Sequence, residues 1–101
     1  MNVSTVKEKN SLTLFLSGRV DTNTAREFEL AVEDNIADVK ELTFDLEGLD
    51  YVSSAGLRVF LKYQKAMDRV GGSMKITRVK QDVYEIFEMI GFSDIMTIER
   101  V

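Results

Sequence analysis

The chain contains no cysteine, no histidine, no proline and no tryptophan. Without cysteine, disulfides and thiol chemistry are excluded. Without cysteine or histidine, neither a Ser-His-Asp nor a Cys-His nucleophilic site can be assembled, and nitrogen or sulfur ligation of a metal is lost. No metal and no cofactor are therefore expected. No apolar run approaches the roughly 20 residues that cross a bilayer. Met1-Asn2-Val3-Ser4-Thr5 has neither the basic start nor the apolar stretch of a signal peptide. A cytoplasmic protein without membrane insertion is expected. Positive charge is also in the minority: 13 Lys and Arg against 17 Asp and Glu leave a net charge of -4. Binding to nucleic-acid phosphates needs a concentrated basic surface, so a protein partner is favoured over nucleic acid.

What is present is the balance of one folded domain. The 101 residues are 45% hydrophobic and 30% charged, with the apolar positions spread along the whole length. That is enough for one core and too little for two. The domain is expected to span residues 1–101, with no repeat or linker.

Periodicity gives the order of elements. Leu12, Leu14 and Leu16 alternate with Thr13, Phe15 and Ser17, which predicts a strand; polar Lys7 to Ser11 predicts a hairpin back to a short strand at Val3–Val6. Ala25, Phe28, Val32 and Ile36 fall on one helical face, predicting a helix over Thr22–Asp38. Leu42–Leu46 reads as a strand. Ser54–Val70 reads as a helix with Leu57, Phe60, Leu61 and Gln64 on a shared face, stopped by Gly71-Gly72. Ser73–Thr77 reads as a strand and Gln81–Ile90 as a helix. Gly91 supplies a left-handed cap before a last strand at Ile95–Ile98. The order ββαβαβαβ predicts an α/β fold with a mostly parallel sheet, an antiparallel N-terminal edge strand and helices packed on it.

In such sheets the loops leaving the carboxyl ends of strands carry the site. Two stand out: Gly18-Arg19-Val20-Asp21-Thr22-Asn23-Thr24-Ala25, and Leu49-Asp50-Tyr51-Val52-Ser53-Ser54-Ala55-Gly56-Leu57-Arg58. By local pattern alone, Ser53 and Ser54 are N-cap residues, Gly18 is a turn, and Gly56 permits close helix packing. Arg58, Lys62, Lys65 and Arg69, spaced by four, three and four, form a basic stripe that is either a solvated face or a docking strip for an acidic partner. Tyr84 and Met89 are either core filler or exposed contact area. Asp21 and Asp45 are the carboxylates an enzymatic reading would use, but no glycine-rich phosphate loop or paired-acid motif accompanies them.

Leu46-Glu47-Gly48-Leu49-Asp50-Tyr51-Val52-Ser53-Ser54-Ala55-Gly56-Leu57-Arg58 resembles the signature of STAS domains in bacterial anti-sigma factor antagonists. The Gly18–Ala25 segment resembles that family's other loop, and Val83–Phe92 its last helix and turn, so the resemblance spans essentially the whole chain. It implies a monomeric, non-enzymatic partner-switching protein involved in transcription regulation. The unmodified form would bind an anti-sigma factor that is also a serine kinase. Phosphorylation of Ser54 would release it, and a cognate phosphatase would restore it. By position, Asp21, Thr22, Asn23, Ser53, Ser54, Gly56, Leu57 and Arg58 are the implied partner-binding residues. Two positions depart from the family pattern: Ser53 stands where an acidic residue is frequent and Ala55 where a second hydroxyl is common. The choice between Ser53 and Ser54 therefore stays open. So does a second reading, a constitutive STAS subunit of a lipid-transport complex or signalling scaffold in which Ser54 is only a cap.

Overall fold

Leucine alternation at Leu12, Leu14 and Leu16 is realised as a central strand, with all three side chains almost fully buried. The computed structural model describes residues 1–101 as β1 (Asn2–Glu8), β2 (Ser11–Val20), α1 (Ala25–Glu33), β3 (Glu41–Val52), α2 (Ser54–Arg69), β4 (Ser73–Val79), α3 (Gln81–Met89) and β5 (Thr97–Arg100). A short 3-10 turn, Phe92–Asp94, precedes β5. The strands lie in the order β1-β2-β3-β4-β5. The β1–β2 hairpin is antiparallel and every later pairing is parallel. The predicted element order, the antiparallel edge and the parallel remainder are all present.

Each parallel crossover moves one strand further in the same direction. Right-handed connections of that kind put α1, α2 and α3 on one face of the sheet. Burial follows: Leu12, Leu14, Leu16, Leu42, Phe44, Leu46, Met74 and Ile76 are buried under the helices. The alternate residues Thr13, Thr43 and Lys75, paired across the strands, lie on the opposite, uncovered face. Phe28 of α1, Phe44 of β3, Phe60 of α2 and Phe87 of α3 form a chain of tilted and edge-on rings with centroids 5.0–5.6 Å apart. Such geometry adds roughly 0.5–1.5 kcal/mol per pair beyond area burial, and it fixes the helices to the sheet.

Several boundaries differ from the periodic reading; β1 and β4 run to Glu8 and Val79, beyond the expected Val6 and Thr77. Helix α1 is shorter than Thr22–Asp38 because Asp21 gathers Thr22–Thr24 into a turn at one end. At the other, Asp34 caps the helix and Asp38 takes a positive φ of 65°. Strands β2 and β3 run further than their leucine patterns, to Val20 and Val52. Register shifts between Phe15 and Ser17 and between Gly18 and Arg19 let them stay paired past Gly48. Strand β5 begins at Thr97, two residues after the expected Ile95, because Phe92–Asp94 winds a 3-10 turn first. On α2, Leu57 and Phe60 are buried as expected, but Leu61 and Gln64 are only half-buried; the inward face is completed by Gly56, Val59, Tyr63 and Met67. This helix packs against α1 as well as the sheet, so its apolar arc is wider and rotated from a single-sided pattern.

Candidate functional site

Strands β2 and β3 end side by side, with Val20 paired to Val52. Their two outgoing loops are tied by one main-chain bond: the Ser53 amide donates to the Val20 carbonyl at 2.7 Å. Ser53 is in extended conformation and is the N-cap of α2, its hydroxyl accepting from the Gly56 amide at 3.3 Å. Ser54 is the first residue of the helix. Its side chain is exposed and its hydroxyl makes no hydrogen bond within the chain. The two adjacent serines, equivalent by local pattern, thus occupy different environments, and the capping ascribed to both belongs to Ser53.

Gly56 is where the helix touches the strands. A Cβ there would lie 2.7 Å from Val20 Cγ1 and 2.8 Å from Val52 Cγ2, closer than real Cβ contacts come. Only glycine lets the first turn of α2 sit directly on the ends of β2 and β3. Leu57, the next residue, is buried beneath it.

The other loop is held from Asp21. Its Oδ1 accepts from the amides of Asn23 and Thr24, both at 2.9 Å, and from the Thr24 hydroxyl at 3.1 Å; the Asp21 amide donates to Thr24 Oγ1 at 2.9 Å. The Thr24 amide, then Thr24 hydroxyl and Asn23 amide bonds, with Arg19 nearby, hold the Asp21 carboxyl below the usual carboxylate range against a smaller opposing effect of burial. Thr22 and Asn23 are exposed at the tip. Gly18, at φ 84°, lies in the left-handed region that favours glycine, and it precedes the register shift that carries Arg19 opposite Tyr51. The Arg19 guanidinium stacks 4.2 Å from the Tyr51 ring centroid.

The structure brings Asp21, Thr22, Asn23, Ser53, Ser54, Gly56 and Leu57 to one edge, and Arg58, exposed and without an ion-pair partner, lies one turn along α2. Asp21 and Asp45 are not brought together. Asp45 is seven residues before Val52 along β3, roughly 20 Å at about 3.3 Å per residue. It is nearly buried on the uncovered face of the sheet, where Arg78 Nε binds its Oδ2 at 2.9 Å and also reaches Glu47. That pairing, Asp45 first, raises the Arg78 pKa.

Two residues beside the edge, Arg26 and Glu29, were not singled out by sequence. Glu29 accepts from Arg26 Nη1 at 2.6 Å and Lys62 Nζ at 2.8 Å, bridging α1 to α2. The i,i+3 spacing of Arg26 and Glu29 was visible; the contact from Lys62, thirty-three residues away, was not. Lys62, first, and Arg26 hold the Glu29 carboxyl below its ordinary value. Of the two residues left ambiguous on α3, Met89 is 78% exposed, whereas Tyr84 is half-buried under the Arg100 guanidinium.

Residues 2–101 match the family model described as the STAS domain. BtrV of Bordetella bronchiseptica, named as a candidate anti-sigma factor antagonist, is 35% identical over 97% of this chain and 85% of its own length. The anti-sigma-B factor antagonist of Listeria monocytogenes is 31% identical over 100% of this chain and 92% of its own. Among solved structures, the anti-sigma factor antagonist SpoIIAA in its unphosphorylated form superposes with a TM-score of 0.84 at 16% identity, covering 96% of this chain and 87% of that one. The phosphorylated form of SpoIIAA, from Bacillus, gives 0.77 at 15%, covering 96% and 90%. At those identities the superpositions show a shared fold.

Proposed function

We propose, from the premise that this chain belongs to the STAS domain family of anti-sigma factor antagonists, that it is a binding switch set by phosphorylation of Ser54. In the unmodified state the edge formed by Asp21–Asn23 and Ser53–Arg58 binds an anti-sigma factor that is also a serine kinase. The kinase transfers the γ-phosphoryl group of ATP to Ser54 Oγ; the hydroxyl proton is lost, ADP leaves, and the partner is released. A phosphatase returns the serine by hydrolysis to inorganic phosphate. The chain acts in the cytoplasm, where ATP is available, and by binding rather than catalysis. No helix is long and apolar enough to cross a membrane.

The observation that carries this reading is the exposed, unbonded hydroxyl of Ser54 beside a Ser53 hydroxyl already committed to capping. A phosphate at the first residue of α2 meets amides without intrahelical partners and the positive end of the helix dipole, so the fold tolerates it. A partner packed over that residue must instead desolvate a dianion, at a cost of several kcal/mol. That SpoIIAA has been solved in both unphosphorylated and phosphorylated forms supports carrying the switch to this chain.

The constitutive-subunit reading rests on the departures at Ser53 and Ala55. One experiment separates the two: incubation with cell lysate and ATP, then site mapping by mass spectrometry. The switch predicts phosphate on Ser54, absent from a Ser54→Ala protein. No phosphate, or phosphate on Ser53 alone, contradicts it.

A further inference from the structure

The first turns of α1 and α2 leave a groove of about 390 Å³, floored by Ala25 and Ala55 and rimmed by Arg26, Arg58, Lys62 and Glu29. Its charge is unbalanced. Glu29 is one carboxylate shared between Arg26 and Lys62. Arg58 has none. Lys65 and Arg69 continue the row along α2, both exposed and without ion-pair partners. A chain of net charge -4 thus gathers five of its 13 cations on the face that adjoins Ser54. Other acids pair off elsewhere, for example where Asp45 and Glu47 meet Arg78 and where Asp50 meets Lys80, while Glu33 and Asp38 stand beside Lys62 and Arg69 at the far end of the row.

Such a local reversal of sign is complementary to a carboxylate-bearing protein segment. Arg58 is the groove cation with spare capacity, and its guanidinium can take a carboxylate through two parallel bonds. Helical side chains lean toward the helix N-terminus, and residues four apart lie on one face, so Arg58 belongs over the turn that begins at Ser54.

We infer that the groove receives an acidic segment of the partner protein, that Arg58 is the main cation for its carboxylate, and that phosphate on Ser54 expels the segment by taking Arg58 for itself. This rests on the proposed switch at Ser54. It replaces a purely repulsive account of release with competition between two anions for one guanidinium.

The pairing can be read on the protein alone. Phosphoserine is encoded at position 54, and the titration midpoint of the phosphate is followed by phosphorus NMR in this protein and in its Arg58→Gln variant. The midpoint is expected to be lower by roughly half a unit when Arg58 is present, the size of an exposed charge pair. Equal midpoints overturn the pairing. Groove occupancy is read with an acetylated, amidated, glutamate-rich peptide titrated into the nitrogen-15-labelled protein. Shifts are expected at Ala25, Ala55 and Arg58, weakened about tenfold by either phosphate on Ser54 or Arg58→Gln and unchanged by Lys75→Gln on the far face of the sheet. Shifts that persist after phosphorylation, or tighter binding of an oligonucleotide of equal charge, overturn the acidic-segment assignment. The switch is tested separately: if the cognate kinase bound phosphorylated and unmodified protein alike, the switch would fail, whereas the Arg58 pairing is decided by the phosphate titration.

Discussion

The Ser53 amide and the Val20 carbonyl are joined at 2.7 Å, and this bond makes one surface of two loops that are thirty-three residues apart in sequence. Gly56 completes the junction by letting α2 settle on Val20 and Val52. The capping serine, the exposed serine and the Asp21 turn therefore hold fixed positions relative to one another. The edge is preformed, so the proposed partner would find little ordering cost left for binding.

Gly56→Ala should test that junction. The added Cβ meets two valine methyl groups at under 3 Å, and overpacking of this kind costs about 1–3 kcal/mol. Urea denaturation should show a lower midpoint with an unchanged slope.

The two serines should separate on stability. Ser53→Ala removes the N-cap acceptor for the Gly56 amide and should cost about 1 kcal/mol. Ser54→Ala removes an exposed hydroxyl with no partner and should change stability by less than about 0.5 kcal/mol. Thermal or urea unfolding of both variants is the check; a larger loss at Ser54 would reverse the assignment of cap and free residue.

Asp21 gives the fold an acid-sensitive feature. Its folded-state pKa is depressed, chiefly by the Thr24 amide. Its contribution to stability is therefore complete above the unfolded pKa and is lost as pH falls through the folded value. Below about pH 4, the ordinary aspartate range, the wild type should lose stability more steeply than Asp21→Ala, so the difference between them narrows as pH falls. Unfolding measured from pH 7 downward reads this directly.

Tyr63 is buried, and its hydroxyl donates to Glu33 Oε2 at 2.6 Å. Burial, followed by that hydrogen bond and the Glu33 and Glu29 charges, pushes its pKa well above the ordinary phenol value. Tyr63→Phe should thus leave the amplitude of phenolate absorbance gained through the ordinary tyrosine range unchanged. It should also cost about 1 kcal/mol, the net worth of one hydrogen bond.

Reversing charge at Lys62 and Lys65 should act on association. Lys62→Glu with Lys65→Glu places like charge before an acidic partner, so the association rate should fall by about tenfold at low salt, and the gap should close as salt rises. Stopped-flow or surface kinetics with the cognate anti-sigma factor would show it.

Much of this architecture was legible because local pattern and tertiary demand agree. Leu12, Leu14 and Leu16 alternate because one face of β2 is covered and the other is open. Gly71 and Gly91 end their helices with positive φ, as glycine after a helical run suggests. What was not legible depends on partners distant in sequence. The far half of β3, through Gly48 and Asp50, is strand because β3 takes an extra residue at each of two register shifts and so stays paired with β2. Tyr63 turns inward because α1 packs on α2. The division of labour between Ser53 and Ser54 needed the backbone, since either residue satisfies the local capping pattern. Arg58 as the unpaired cation of a groove emerges only once Lys62 is seen to reach Glu29.

The central claim concerns the affinity of the cognate anti-sigma factor for this protein with serine or encoded phosphoserine at position 54, measured by titration calorimetry at fixed salt. Desolvating the phosphate dianion at the interface and losing Arg58 to it, together about 3 kcal/mol, predict at least about 100-fold weaker binding of the phosphorylated form. Phosphoserine placed there with affinity equal to that of the unmodified protein would contradict the account.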